Sequence, residues 1–350
     1  MNGLIKMPFF SIVMPVYNSE NSVAKTIDSV LNQDFKNFEF IIVNDGSTDK
    51  TLSILKGYSN MDDRILVKTI ENSGPGKARN SGIEEASGEF LFLLDADDQL
   101  AKDTLSSYYN DLEKDDYDLI ISSYLLQVMD KDILLSEKKI GAAYQEIKDH
   151  ELFLDNIYSL MNKQLMYVVW NKIYKLSIIK EENIRFRNYS SCEDRLFNID
   201  YFHHVENCLV TDKIMYQYSF DGKKSLTNKF LVNKFDTFVE FRRSLLALTL
   251  KNKQGTEALF LKGVMSCIIP VHSKDCSLSF KEKINYIKNI LNSKDVIEAC
   301  NDSLTDSPIR KLTKLLFKSK LTLLNYFSSM MMYYLSVLSP RMIEKIKQSF

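Results

Sequence analysis

Three carboxylates within four residues, Asp95-Ala96-Asp97-Asp98, stand directly after the apolar run Phe90-Leu91-Phe92-Leu93-Leu94. Bounded by Gly88-Glu89 on one side and the acids on the other, that run reads as a strand buried on both faces. At its carboxyl end three like charges repel one another unless a cation sits among them. A divalent metal would relieve that repulsion, and hard oxygen donors suit Mg²⁺ or Mn²⁺, so metal-assisted phosphate chemistry is one reading. An acidic helix start is the other, because Asp caps helix N-termini and the sequence from Ala101 looks helical. A cap needs one Asp, not three, but on these residues alone both readings stand.

Such a site needs a frame, and the first 130 residues supply an alternation of strand-like and helix-like segments. Phe10 to Val16, Phe38 to Val43, Ile65 to Ile70, Phe90 to Leu94 and Leu119 to Leu126 read as strands. Between them Val23, Ile27, Val30 and Leu31 share one helical face, Ser47-Thr48-Asp49 can cap a helix carrying Leu52, Ile54 and Leu55, and Gly76 to Ala86 and Asp103 to Asp111 read as two more helices. Short connections between alternating β and α segments predict an α/β fold with a mostly parallel, Rossmann-like sheet flanked by helices. In such sheets ligands bind outside the carboxyl ends of the strands. There the chain carries Tyr17-Asn18, Asn44-Asp45-Gly46-Ser47, Asn72-Ser73-Gly74-Pro75-Gly76 and the acidic tetrad, four polar or glycine-rich loops converging on one edge. No GxGxxG follows the first strand and no GxxxxGK[ST] occurs, which removes the main support for a dinucleotide site or a P-loop.

Composition bounds the rest. The chain of 350 residues is 45% hydrophobic and 26% charged, ordinary for a globular protein and long enough for two domains. A net charge of −1 argues against nucleic acid as a partner. From Asn301 to Phe350 eight Lys/Arg face three Asp/Glu, a net of +5, which leaves −6 on residues 1–300. A basic tail on an acidic body points to an anionic surface for the tail. The five cysteines have no metal-finger or CxxC spacing, so reduced structural thiols in the cytoplasm are expected. The apolar start, Met1 to Asn18, holds Pro15 and runs into strand-like sequence, and no signal peptide is read there. After about Asn228 the pattern turns helical (Phe235 to Leu250, Leu259 to Ile269, Ile284 to Leu291, Ile309 onward), which sets expected domains at 1–228 and 229–350.

Ser11-Ile12-Val13-Met14-Pro15-Val16-Tyr17-Asn18, Val43-Asn44-Asp45-Gly46-Ser47-Thr48-Asp49, Gly76-Lys77-Ala78-Arg79-Asn80 and Asp95-Ala96-Asp97-Asp98 together resemble glycosyltransferase family 2, in order and spacing, over roughly residues 8–220. The resemblance implies a GT-A fold, a nucleotide-sugar donor (often a UDP-sugar), a divalent cation (Mn²⁺ or Mg²⁺) and inversion at the anomeric carbon. Carried over residue by residue, it makes Pro15, Val16 and Tyr17 the wall of the base pocket, beside Asn18, with Tyr17 against the uracil; an aromatic ring at a strand end offers a stacking face worth about 1–3 kcal/mol. Asp45 resembles the base-reading carboxylate, Asn44 stands where many members have a second Asp, and Asp49 buttresses the next helix. Gly74 and Gly76 let the backbone pass close to the donor, and Arg79 approaches the nucleotide and the acidic loop with a fork that can hold carboxylate or phosphate. Asp95 and Ala96 then face the donor, with Asp95 at the ribose or metal shell and Asp97 the direct metal ligand; Asp98 stays unassigned.

Glu193-Asp194 within Cys192-Glu193-Asp194-Arg195-Leu196-Phe197 resembles the family's Glu-Asp pair, with Asp194 as the base and Glu193 orienting base or acceptor. A single displacement needs such a base for the acceptor hydroxyl, and a cation for the departing diphosphate. Cys192 stands where Gly or a small residue is more usual. Trp170-Asn171-Lys172 resembles an acceptor-side segment, with a core Trp as the other account, and Lys223-Lys224-Ser225-Leu226-Thr227 resembles a loop over the diphosphate, with an ordinary solvated loop as the other.

Leu321 to Leu338 carries no charge and lies between Lys314, Lys318, Lys320 and Arg341, Lys345, Lys347. At 18 residues with Asn, Ser and Thr inside, it suits an interfacial or partner-binding helix better than a spanning one, and a core helix remains open. The expected function is therefore hexosyl or N-acetylhexosaminyl transfer from a nucleotide-sugar to a hydroxyl of a glycan or lipid-linked acceptor in bacterial surface polysaccharide synthesis. The enzyme would be cytoplasmic, peripheral on the inner membrane face through 309–350, with homo-oligomerisation left open. Two rivals are a sugar nucleotidyltransferase, which lacks its phosphate loop here, and a non-catalytic sugar-nucleotide-binding or scaffold protein, which would be expected to lack Asp95, Asp97 or Asp194.

Overall fold

Strands β1 (Phe10–Val16), β2 (Phe38–Asp45) and β4 (Phe90–Leu93) are almost wholly buried, as continuous apolar runs must be when both sheet faces are covered. In this computed structural model, which describes residues 7–130, 133–189, 191–220 and 230–338, they form the centre of one sheet. β3 (Ile65–Ile70) lies outside β2, and the order β3-β2-β1-β4 is parallel throughout. The chain steps from β1 outward to β3 and then returns to the other side of β1 with β4. This reversal opens the crevice in which open α/β sheets bind ligands.

The register fixes what meets there. Val16 pairs with Asn44, while β4 stops opposite Val13, so the acidic tetrad runs alongside the last residues of β1. Leu94 N–H donates to the Val13 carbonyl at 3.0 Å and prolongs that pairing by one step. Helices α1 (Val23–Leu31), α2 (Thr51–Ser59) and α3 (Pro75–Glu85) connect the four strands, and α4 (Thr104–Leu112) follows the short β5 (Gln99–Leu100).

Beyond β4 the sheet becomes mixed. β9 (Lys172–Lys175) is antiparallel to both β4 and β6 (Leu119–Asp130), and β10 (Cys208–Phe220) runs parallel to β6. β5, β7 (Ile133–Ile140) and β8 (Gln145–Ile147) add antiparallel pairings to β10 and β6. The sequence reading missed β9 and β10. β9 is four residues long and opens on a lysine, and β10 shifts register around Thr211 to Tyr216, where Asp212 and Lys213 are exposed. α5 (His150–Asn162), α6 (Leu176–Glu181) and α7 (Glu193–Phe202) complete this part.

The chain divides into two compact units, Met1–Tyr189 with Glu193–Lys223, and Ser190–Cys192 with Lys224–Phe350. The second is helical: α8 (Lys234–Leu248), α9 (Lys253–Ile268), α10 (Phe280–Asn292), α11 (Lys294–Asp302), α12 (Pro308–Ser319) and α13 (Thr322–Leu338). Its core joins Phe238, Phe260, Val264, Ile268, Ile287, Ile290, Val296 and Phe317. None of the five cysteines is in a disulfide, and four are buried. No helix among the described residues is long and apolar enough to cross a membrane.

Candidate active site

The loops after β1 and β2 are stitched to each other. Asn18 takes a left-handed backbone (φ 47°), which Asn tolerates, and its Oδ1 accepts from Thr48 N–H at 2.8 Å. Ser47 Oγ accepts from Asn18 N–H at 3.0 Å, and Glu20 accepts from Lys50 N–H at 2.9 Å. Asp49 accepts from Thr51 N–H at 2.9 Å, in the first turn of α2, and from Glu20 N–H at 3.1 Å. Above this frame Tyr17 is 49% exposed, Pro15 half-buried and Val16 buried, which leaves the Tyr17 ring open at the strand end.

Asp45 is buried at the end of β2 and holds the β3–α3 loop: Oδ1 accepts from Ser73 N–H at 2.8 Å and Oδ2 from Gly74 N–H at 2.9 Å. Two glycines are required by this approach. A Cβ at Gly46 (φ +69°) would sit 2.8 Å from Asn72 N, and Gly74 has φ +92°, a region hostile to L side chains. Pro75 follows at the first position of α3, where its missing N–H costs nothing.

Arg79, one turn into α3, joins acids that are far apart in sequence. Its Nη2 donates to Asp95 Oδ1 at 2.7 Å and its Nη1 to Asp194 Oδ1 at 3.1 Å. The guanidinium is buried over the Phe186 ring at 5.3 Å, and its Nε has no hydrogen-bond partner among the described residues. Burial alone would lower its pKa; the charges of Asp194 and Asp95 more than offset that and hold it protonated. Asn80 fixes the approach, since its amide donates to Phe186 O and accepts from Phe186 N–H, both at 2.8 Å. Phe186 lies just before α7, so one residue pair ties the arginine helix to the segment that delivers Asp194.

Glu193 and Asp194 occupy the first turn of α7, where the helix dipole favours carboxylates. Asp194 keeps 22% of its side chain exposed, yet desolvation, opposed by Arg79 and reinforced by Glu193 and Asp95, pushes its pKa up to about 7. Cys192, immediately before, has φ +64°, the conformation glycine adopts freely, which gives a physical reason for the small residue usual at this position. Behind the site Lys172 is 0% exposed, and burial brings its pKa down to about 7. Its Nζ donates to Leu165 O, Val168 O and Asn171 Oδ1 at 2.5–2.8 Å. Trp170 is a core residue, stacked on Tyr216 at 4.3 Å, which decides between the two accounts of it.

The acidic tetrad divides by burial. Asp95 is half-buried against Arg79, Asp97 is exposed, and Asp98 is fully buried. Ala96 is buried, and its carbonyl accepts from Ser22 Oγ and Thr26 Oγ1, both at 3.0 Å. Asp98 accepts from the Tyr216 hydroxyl and from Ser219 N–H, each at 2.8 Å. Desolvation first, then the charges of Asp97 and Asp95, raise the Asp98 pKa well above the usual carboxylate range. Tyr17 is legible in the sequence from its place at a strand end. The roles of Phe186, Lys172, Asn80 and Tyr216 carry no such signal, because each arises from partners that only the folded chain brings together. The segment Lys223–Thr227 lies outside the described residues.

A mixed sheet with four loops converging on its switch point, two acids at a strand end and an arginine leading to a helix-borne acid make up this site. The family model described as "Glycosyl transferase family 2" matches residues 11–189, just over half of the chain, and the protein belongs to that family. Among curated relatives, glycosyltransferase GlyA of Streptococcus pneumoniae is 30% identical over 210 residues, covering 59% of this chain and 30% of GlyA. The poly(ribitol-phosphate) β-N-acetylglucosaminyltransferase TarS of Staphylococcus aureus is 29% identical over 256 residues, 71% of this chain and 42% of TarS. The chain thus spans less than half the length of either relative. Its fold is similar to the crystal structure of TarS 1–349 in complex with UDP-GlcNAc, at TM-score 0.65 and 21% identity, over 93% of this chain and 91% of that one. The Pyrobaculum calidifontis mannosyltransferase PcManGT, solved with GDP-Man and Mn²⁺, matches at TM-score 0.50 and 12% identity over 96% and 89%.

Proposed function

We propose that this chain transfers a sugar, with inversion, from a UDP-sugar to a hydroxyl of a glycan or lipid-linked acceptor in bacterial surface polysaccharide synthesis. The observation that carries the reading is the single guanidinium of Arg79 bonded to both Asp95 and Asp194, which brings a donor-side acid and an acceptor-side base to one centre. Support for UDP comes from the TarS complex, and support for a polymeric acceptor from the poly(ribitol-phosphate) in the TarS name.

The divalent cation fits the donor set. Asp95 and Asp97 offer hard carboxylate oxygens, and the charge of both is felt at Asp98. No group of three His, Cys, Asp or Glu among the described residues could hold a metal by itself, so donor phosphate and water would complete the shell. Mn²⁺ or Mg²⁺ held by Asp97 and Asp95 would neutralise the charge that develops on the departing diphosphate. Tyr17 stacks on the base, with Pro15 and Val16 as its wall and Asn18 bracing the turn beneath. Asp45 reads the base edge while it holds Gly74, and Ala96 presents backbone to the donor. Asp194 takes the proton from the acceptor hydroxyl as its oxygen bonds to the anomeric carbon and the bond to the diphosphate breaks. Glu193 orients that hydroxyl, and Arg79 keeps Asp194 turned toward it.

UDP-sugar hydrolysis with Mn²⁺ tests the donor half: Asp97→Ala should fall at least tenfold below the native chain, and equal turnover would sink the metal assignment. The location at the inner membrane face, through residues 309–350, belongs to the same reading and is supported by the charge-free stretch between lysines.

A further inference from the structure

The reading above gives Asp98 no part in donor chemistry, yet this carboxyl is fully buried beside two others. Burying a carboxyl without partners is costly, so its partners are where its purpose shows. Oδ2 accepts from the Tyr216 hydroxyl and Oδ1 from Ser219 N–H, both at 2.8 Å. The same hydroxyl accepts the Asp95 N–H at 3.1 Å. Tyr216 therefore uses its one donor and one acceptor to join the two ends of the tetrad. Its ring is fixed independently, fully buried and stacked on Trp170 with 16° between planes. On the opposite side the Ala96 carbonyl is held by Ser22 and Thr26. The backbone is gripped from both sides, while the Asp95 and Asp97 side chains are left to face outward, Asp95 against Arg79.

We propose that Tyr216 and Asp98 form a positioning clamp that sets the direction in which Asp95 and Asp97 present their carboxylates, and that Asp98 ligates neither metal nor nucleotide. The consequence for the donor rests on the proposed function; the clamp itself does not. Removal of the hydroxyl leaves the Asp95 N–H and the buried Asp98 carboxyl each short of a partner, without removing the ring that stacks on Trp170.

Two readouts on the full chain separate these claims. In ligand-free protein, hydrogen exchange of peptides covering residues 93–99 and 215–220 should accelerate in Tyr216→Phe and stay near native elsewhere. In titrations with UDP and Mn²⁺, Tyr216→Phe should bind UDP roughly tenfold more weakly and show a flatter Mn²⁺ dependence, the scale of a lost hydrogen bond to a charged group. Asp98→Asn, which keeps an acceptor for Ser219 N–H, should recover most of the affinity that Asp98→Ala loses. Unchanged exchange in Tyr216→Phe overturns the clamp. Faster exchange with native UDP affinity overturns its positioning role, as does an Asp98→Asn variant as defective as Asp98→Ala with native exchange, the behaviour of a ligand. A native chain that binds no UDP defeats the donor reading and the positioning role with it, and exchange still reports on the clamp.

Discussion

At the scale of single residues, the proposed base Asp194 sits in surroundings that suit proton uptake near neutrality. Its pKa is pushed up to about 7 chiefly by desolvation, with Arg79 pulling the other way. A base is active when deprotonated, so with a raised pKa the active fraction grows as pH rises through that value. The expected profile of kcat/KM against pH climbs with an apparent pKa about 7 and then levels. Asp194→Asn should keep donor affinity while transfer falls by roughly 10²–10⁴-fold. Transfer retained in that variant would move the role to Glu193 or elsewhere. Arg79→Lys is not a conservative change here, because one ammonium cannot hold two acids in a planar fork. It should lower kcat more than it raises the donor KM, checked by steady-state kinetics at saturating acceptor.

At the scale of elements, α3 is seated by glycine. A Cβ at Gly82 would lie 2.4 Å from Val13 Cγ1, and Val13 is buried in β1 with nowhere to move. Gly82→Ala should therefore lift α3 from the sheet, cost about 1–3 kcal/mol in urea unfolding, and reduce activity by displacing Arg79 one turn away. In the helical unit, Arg242 holds Glu257 bidentately at 2.6 and 2.7 Å and Asp295 at 2.8 Å, so one buried cation joins α8, α9 and α11. Arg242→Met strands the buried Glu257 carboxylate and leaves Asp295 only its bonds to the exposed Arg243, and should cost about 3–5 kcal/mol, measured by the same unfolding. What was legible in the sequence follows the same physics. β1, β2 and β4 were readable because buried parallel strands are nearly continuous apolar runs, and the half-exposed edge strand β3 because Ile65, Val67, Thr69 and Ile70 are β-branched. β9 was not, since Lys172 disguises it and its burial makes sense only once the carbonyls of Leu165 and Val168 surround Nζ. Asp97 and Asp98 are neighbours of one chemical type, and what separates them is Tyr216, 118 residues onward. The four loops of the site were legible for a different reason: the strand ends place them together without any side-chain contact being known.

At the scale of the whole chain, charge and apolar surface coincide in the last two helices. Leu324, Phe327, Met331 and Tyr334 are exposed on α13 at spacings that keep them on one helical face, and Leu312 and Leu315 are exposed on α12. Lys311, Lys318 and Lys320 are exposed beside them. A second copy meeting this face across a two-fold axis would bring lysine to lysine, whereas an anionic bilayer supplies the opposite charge, at about 1 kcal/mol for each lysine near the surface, and room for the apolar side chains. Co-sedimentation of the full chain with vesicles of phosphatidylglycerol and phosphatidylcholine should therefore be strong at low salt and weaken as salt rises, with little binding to phosphatidylcholine alone. Leu324→Ser with Phe327→Ser removes two exposed apolar groups whose loss leaves the helical core intact, and should weaken vesicle binding at least tenfold with an unchanged thermal midpoint. Equal binding to neutral and anionic vesicles would exclude the charge attraction, and a double variant that binds as the native chain does would exclude this face as the membrane contact; sedimentation that instead rises with protein concentration in the absence of lipid would assign the face to a second copy.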